Sequence, residues 1–339
     1  MQQRFAALFA LAAFAALVLW GLSWRAAPVA GPDGERVSFQ IATGPSGGTF
    51  FTIAQAIAGI ISHPPGMGRC ETSMVCGPSG TILSVRTAPG SFDNLRAVNN
   101  GLVESALVQS DMADAAARGQ GPFRRFGPQK NVTIIAALFP EEVHLVAAAR
   151  AGITDVRGLA RRRVWLAPPT TDAGITARRI LAAFRVSVRL VEGDDPDVLL
   201  ADGKIDAFFL TAAAPFGPVS QALAGGKAGL VPITGDGVER LLAQEPQLQH
   251  ATIAAQTYPG APALNTIATR TLWVVNARVP DALVYGITRA LFNPANRAAL
   301  VAGHPAAHKI GLATAALELP APLHAGARRY FREAGLLAR

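Results

Sequence analysis

Apolar and polar positions along this chain alternate between two rhythms, short strand-like apolar runs and stretches with helical spacing. Val37–Ala42 reads as a strand, residues 43–48 as a glycine-rich turn and Thr49–Ile61 as a helix. The same order recurs downstream. Strands are predicted over residues 82–87, 107–109, 132–138 and 144–149, with helices over 91–100 and 112–118. After a shift at Phe139-Pro140-Glu141-Glu142 a second run follows, with strands at 163–167, 186–191 and 207–210. Its helices are predicted at 171–184, at 196–200 and from Pro215 onward. The chain breaks again near Tyr258-Pro259-Gly260-Ala261-Pro262, before a strand at 269–275 and helices at 280–292 and 323–334. Alternation of this kind predicts an α/β fold with mainly parallel sheets. Two break points predict one lobe from residues 37–138 and 262–339, interrupted by a second lobe over residues 139–261. Two crossings between lobes would make a hinge and an interlobe cleft.

The turn Thr43-Gly44-Pro45-Ser46-Gly47-Gly48 carries the first candidate chemistry. Adjacent glycines at a helix start leave backbone N–H groups uncovered, and the helix dipole adds partial positive charge. That combination is a seat for a small anion such as a carboxylate. Val108-Gln109-Ser110-Asp111 is a second strand end running into a helix. Two such turns on parallel strands would face one crevice, where open α/β sheets bind ligands.

The 339 residues predict two domains, and 50% hydrophobic content is ample for their cores. Arg4 followed by the apolar run over residues 5–22 reads as an export signal, long enough to serve as an N-terminal membrane anchor if uncleaved. Residues 1–27 are therefore expected to be a signal peptide or anchor, which puts the body outside the cytoplasm. The net charge of +8 comes from scattered arginines, with the largest cluster at Arg161-Arg162-Arg163. Aromatics are not interleaved with basic runs, so no nucleic-acid partner is expected. Cys70 and Cys76 are the only cysteines; in an exported chain they are expected to close a small disulfide loop. A metal or redox pair would want closer spacing or histidine partners, and His63 is alone nearby.

Several motifs then match one family in order and spacing. They are Ala42-Thr43-Gly44 through Gly47-Gly48-Thr49-Phe50-Phe51, Gly90-Ser91-Phe92-Asp93-Asn94-Leu95 and Gln109-Ser110-Asp111. Further on come Phe139-Pro140-Glu141-Glu142-Val143-His144, then Asp202 to Phe209, and the tail from Pro322 to Gly335. The chain resembles the TAXI-type solute receptors of TRAP transporters, which have the two-lobed type II periplasmic binding fold. The resemblance implies a periplasmic receptor, exported or anchored to the inner membrane. Such a receptor captures a small anionic or zwitterionic solute and delivers it to an ion-gradient-driven membrane permease. It implies a carboxylate-bearing solute, an amino acid such as glutamate or glutamine, or a dicarboxylate. The ligand-facing turns it implies place Thr43, Gly44, Ser46, Gly47, Gly48, Thr49 and Phe50 at the solute. Gly90, Ser91, Gln109, Ser110 and Asp111 join them in the first lobe. In the second lobe they are Thr170, Thr171, Asp172 and Ala173, with Asp206 and Phe209. A monomer is expected, with no cofactor and no metal.

Gly44-Pro45-Ser46-Gly47-Gly48 also fits G-x-S-x-G, the nucleophile elbow of α/β-hydrolases. A secreted serine hydrolase using Ser46 is thus an alternative, with His250, His304, His308 and His324 available by number; so is a sensory protein that kept the binding fold. No Walker-type lysine, zinc spacing or calcium loop is present. His144, inside an apolar run, reads as a core or hinge residue and Asp111 as a helix cap. Asp206 reads as a residue that fixes its own turn. Glu141 and Glu142, at the expected break, read as solvated.

Overall fold

The computed structural model describes residues 36–64 and 76–338. The expected signal or anchor over residues 1–27 lies outside the described residues, as does Cys70, and with it the pairing to the buried Cys76. No described helix is long and apolar enough to cross a membrane.

The first part of the chain runs β1 (Val37–Ala42), α1 (Thr49–Ile61), β2 (Thr81–Arg86), α2 (Ser91–Asn99), β3 (Ser105–Gln109) and α3 (Ser110–Arg118). The 17-residue strand β4 (Val132–Ala148) follows. Next come β5 (Arg163–Trp165), α4 (Asp172–Phe184), β6 (Arg189–Val191), α5 (Pro196–Ala201) and β7 (Ala207–Ala212). After these run α6 (Gly217–Ala224), β8 (Ala228–Leu230), α7 (Asp236–Gln244) and β9 (Gln249–Ile253). The 13-residue strand β10 (Leu264–Asn276) returns, followed by α8 (Asp281–Leu291), α9 (Arg297–Gly303) and α10 (Ala325–Glu333). The strands β8 and β9 and the helices α7 and α9 are not among the elements expected from the sequence.

One sheet links the strands in the order β2-β1-β3-β10-β4-β7-β5-β6, with β8 beside β4 and β9 beside β10. Its flanks are parallel: β1 pairs with β2 and β3, and β5 with β6 and β7. Its centre is antiparallel: β4 pairs with β10 from Val132 to Glu142 and with β7 and β8 beyond, while β10 continues beside β9. The fold is a mixed α/β architecture in two lobes joined by β4 and β10.

The expected break at Phe139–Glu142 is absent, and β4 runs straight through it. Proline has no N–H to give a ladder and is tolerated in a strand mainly at irregularities. Here Pro140 lies opposite Arg270, while Leu272 lies opposite Ala137, so β4 carries one extra residue at this point. The bulge absorbs the proline and adds local twist.

Burial follows the same division. Phe39, Ile53, Ile57, Trp273, Ile287 and Phe331 share a core on one side of the first half of the sheet. Leu95, Val108, Met112, Phe123 and Ile134 fill another. Leu145, Val146, Trp165, Ile180, Phe208 and Tyr258 belong to the core of the second half. Along β4, Ile135 and Leu138 pack in the first half and Val143 to Ala148 in the second. Glu141 and Glu142 lie where the strand passes from one core to the other.

Candidate functional site

A cavity of about 230 Å³ opens between the two halves. Gly44, Pro45, Gly48, Thr49 and Phe50 line it from the turn and first residues of α1, with Pro89 and Gly90 ahead of α2. Gln109 reaches it from the end of β3 and Glu141 from β4. Opposite stand Ala167 after β5, Thr171, Asp172 and Ala173 at the start of α4, Thr211 and Ala212 at the end of β7, and Phe216 beyond it. No Lys, Arg or His is among the lining residues.

The start of α1 is open toward this space. Its N-cap is Gly48, which offers no side chain to the backbone donors of the first turn. Thr49 is buried and its Oγ1 has no hydrogen-bond partner. Gln109 Nε2 donates to Glu141 Oε2 at 2.8 Å, while Gln109 Oε1 is likewise buried without a partner. Burial pushes the Glu141 carboxyl up to about 8, helped by Asp172, Glu142 and Asp111 and opposed by the bond from Gln109. Burial also raises Asp172 to about 6, against the bonds it accepts from Ser91.

The Gly90–Ser91 turn at the start of α2, expected to face the solute, already holds a carboxylate of the protein. Asp172, from the opposite lobe, accepts from Ser91 N at 3.0 Å and from Ser91 Oγ at 2.7 Å. Gly90 has φ +156°, and a Cβ on it would come within 3.3 Å of Asp172 Oδ2, so a glycine keeps room for the carboxylate. Gly90, Ser91 and Asp172 therefore form a clasp between lobes, with Gly90 and Asp172 still bordering the cavity.

The seat at the start of α3 is also used internally, which corrects two expectations. Asp111 does not cap α3, whose N-cap is Gln109 with no side-chain bond. Its carboxylate meets Arg179 Nη1 of α4 at 2.8 Å and accepts from Thr269 Oγ1 at 3.1 Å. Arg179 also approaches Glu245 at 3.3 Å. Ser110 Oγ lies 3.1 Å from Thr269 Oγ1 and 3.3 Å from the Gln247 carbonyl. Neither Ser110 nor Asp111 lines the cavity. Both face polar groups of residues that come later in the chain.

Other expected site residues fall elsewhere. Thr43 is fully buried, its hydroxyl donating to the Arg86 carbonyl at 2.9 Å. Ser46, Gly47 and Thr170 sit on the exposed outer side of their turns. Phe209 is packed in the second core. Asp206 is bound to Arg163 at 2.7 Å, and that guanidinium holds its carboxyl below the usual range. It precedes β7, while the cavity meets that strand at Thr211, roughly 16 Å further on at 3.3 Å per residue. Asp206 thus fixes its turn, as its position beside a strand suggested, and does not border the cavity. The ring nitrogens of His250, His304 and His324 bond Glu239, Ala306 N and Gly326 N respectively, and among the described residues no histidine ring bonds Ser46.

Glu141 and Glu142 are buried at 4% and 3% exposure, not solvated. The cause is the unbroken β4. Glu142 is neutralised by Lys309 at 2.5 Å and accepts from Ala214 N at 3.1 Å. Glu141, with Pro89, Ala167 and Phe216, belongs to the cavity wall and was not among the expected contacts. A charged pair inside an apolar run was the available signal for Glu141.

His144 is a core residue, as expected. Its Nε2 lies 2.8 Å from the Tyr258 hydroxyl, which accepts from Phe216 N at 3.0 Å, so the chain of bonds holds the residue that lines the cavity. Burial lowers His144 to about 4. A histidine depressed below its unfolded value of about 6.5 contributes stability that is full above that pH and is lost as pH falls toward 4. Urea unfolding should show the wild type losing stability over this range relative to His144→Gln. Parallel pH profiles would contradict the buried neutral ring.

A larger cavity of about 720 Å³ lies at the far end of the second lobe, bordered by Arg150, Asp197, Asp202 and Lys227. Among the described residues, no unpartnered buried side-chain atom belongs to its lining. The smaller cleft is the better candidate, because two such atoms belong to its wall.

The sequence pattern of the NMT1-like family matches residues 41–335. Among solved structures, the chain is similar to MatC from Rhodopseudomonas palustris with bound malate, at 14% identity and TM-score 0.51, over 91% of this chain and 98% of that one. It is also similar to the periplasmic binding protein BugD, at 12% identity and TM-score 0.51, over 87% of this chain and 94% of that one. Likeness at this identity establishes the shared two-lobed α/β fold. The match across nearly the whole described body shows that the chain belongs to the NMT1-like family.

Proposed function

We propose that this protein is an extracytoplasmic solute receptor of the TAXI type. It would capture a small carboxylate-bearing solute between its lobes and present it to the membrane permease of a TRAP transporter. The first lobe would comprise residues 37–138 and 262–339 and the second residues 139–261. The observation that carries the reading is the interlobe cavity into which the uncapped start of α1 opens. Backbone donors at a helix N-terminus suit a carboxylate, and walls from both lobes suit a clamp. The volume is that of roughly eight waters, the size of a small organic acid. The order and spacing of the glycine, Gln-Ser-Asp and Pro-Glu-Glu motifs support the same reading.

Native mass spectrometry of the protein purified without denaturation should find a small molecule bound and lost on unfolding. A protein that emerges empty, and whose melting temperature is unmoved by millimolar carboxylates, would count against a receptor role. A ligand that binds only the folded state raises stability by about RT ln(1+[L]/Kd).

A further inference from the structure

We propose that the wall formed by Gln109 and Glu141 recognises an ammonium group, so that the solute is a small amino acid with an apolar side chain. The inference rests on the receptor reading above and adds the class of solute. Gln109 is 2% exposed and belongs to the cavity wall, yet its Oε1 has no donor. A buried acceptor left unpaired costs about 1–3 kcal/mol, and a solute that brings a donor relieves it. Thr49 Oγ1, buried in the same wall, is also without a partner.

The ionisable groups of this wall are all acidic. Glu141 and Asp172 both border the cavity and no basic side chain does. The nearby cations are committed elsewhere: Lys309 to Glu142, and Arg179 to Asp111 and Glu245. A solute whose only polar groups were carboxylates would bring like charge against Asp172 and find no cation in the wall. An ammonium has three donors and no acceptor. It matches Gln109 Oε1, the Glu141 carboxyl and Thr49 Oγ1. The solute's own carboxylate is then free to meet the backbone donors that open α1. Of the rest of the wall, Thr171 and Thr211 are polar, the Thr171 hydroxyl being taken by Pro168 O and Gly174 N, and Phe50, Phe216, Pro89, Ala167 and Ala212 offer a side chain apolar contact.

Binding of this kind moves a proton. In the empty cleft Glu141 is held largely protonated at pH 7, facing Gln109 on β3, Asp111 on α3, Asp172 on α4 and Glu142 on its own strand. An arriving ammonium favours the carboxylate, and the released proton goes to the buffer.

The test is calorimetry at pH 7 with L-valine and L-leucine, each against the 2-hydroxy acid of the same skeleton, and with L-glutamate and succinate. Two buffers of different ionisation heat count the protons. The expected result is at least tenfold tighter binding of valine or leucine than of the hydroxy acid, with net proton release. Glu141→Gln should narrow that discrimination about tenfold and abolish the release. The wild-type proton count stands as the test should the variant not fold. Binding of hydroxy acids or succinate in preference to amino acids overturns the inference and leaves the receptor reading intact. Preference for glutamate over leucine overturns the apolar side chain. Absence of binding throughout, with no molecule trapped in native mass spectrometry, overturns both readings.

Discussion

Gly174→Ala is expected to lower the unfolding free energy by about 3 kcal/mol, within the upper range for overpacked interiors. Gly174 lies in the first turn of α4, where Thr171 Oγ1 caps its N–H at 3.2 Å. A Cβ at this position would lie 2.0 Å from the Pro168 carbonyl oxygen and 2.4 Å from that of Ala167. Both are backbone atoms, so no rotamer change relieves the contact. The turn over residues 167–171 must move, and Ala167, Thr171, Asp172 and Ala173 move with it out of the cavity wall. The Asp172 clasp on Ser91 should loosen as a result. Urea denaturation measures the first effect, and solution scattering of the variant should show a larger radius of gyration. A variant with wild-type stability and dimensions would mean that this turn does not pack as described.

The second large effect is expected from Arg179→Met. Asp111 has a side chain only 1% exposed, and Arg179 is its cationic partner, itself 21% exposed. Removing the guanidinium leaves a carboxylate buried with a single hydroxyl donor from Thr269. Breaking a fully buried pair from one side costs about 3–5 kcal/mol, and the partial exposure of Arg179 lowers the expectation to about 2 kcal/mol. The double variant with Asp111→Asn should recover part of that loss, because the stranded charge is gone. Since α3 and α4 belong to different lobes, the single variant should also open the cleft. A loss that Asp111→Asn does not mitigate would show that the pair acts through packing, not charge.

Both expectations concern contacts between segments far apart in the chain, and this separates what was legible early from what was not. The elements β1, α1, α2 and α4 follow from apolar periodicity and from glycine, serine or threonine at the helix starts. Those are local properties. The glycine-rich turn was likewise readable as an open helix start, and Gly44, Gly48, Thr49 and Phe50 border the cavity. Its outer residues Ser46 and Gly47 share the motif but face solvent, a distinction that motif matching does not make.

The reading went astray where a nonlocal partner took a group over. Ser110 and Asp111 looked like a second solute seat because a strand end running into a helix commonly offers one. Thr269 and Arg179, brought in by β10 and α4, bond their side chains instead, and neither Ser110 nor Asp111 borders the cavity. Ser91 looked like a solute contact and holds Asp172. Pro140 looked like a break, and only the pairing with β10 shows that a bulge accommodates it.

The sequence by itself determined the alternating elements, the uncapped start of α1 and the membership of residues 41–335 in one family, since each depends on residue order over short spans. Only the tertiary structure decided which polar groups face the cavity. Burial of Glu141 requires β4 to stay continuous between two cores, and the orphaned Gln109 Oε1 requires β3 and β4 to end up one strand apart across β10. Desolvation and hydrogen-bond pairing depend on what surrounds an atom in space, and neighbours in space here come from segments as distant in the chain as Asp111 and Thr269, 158 residues apart.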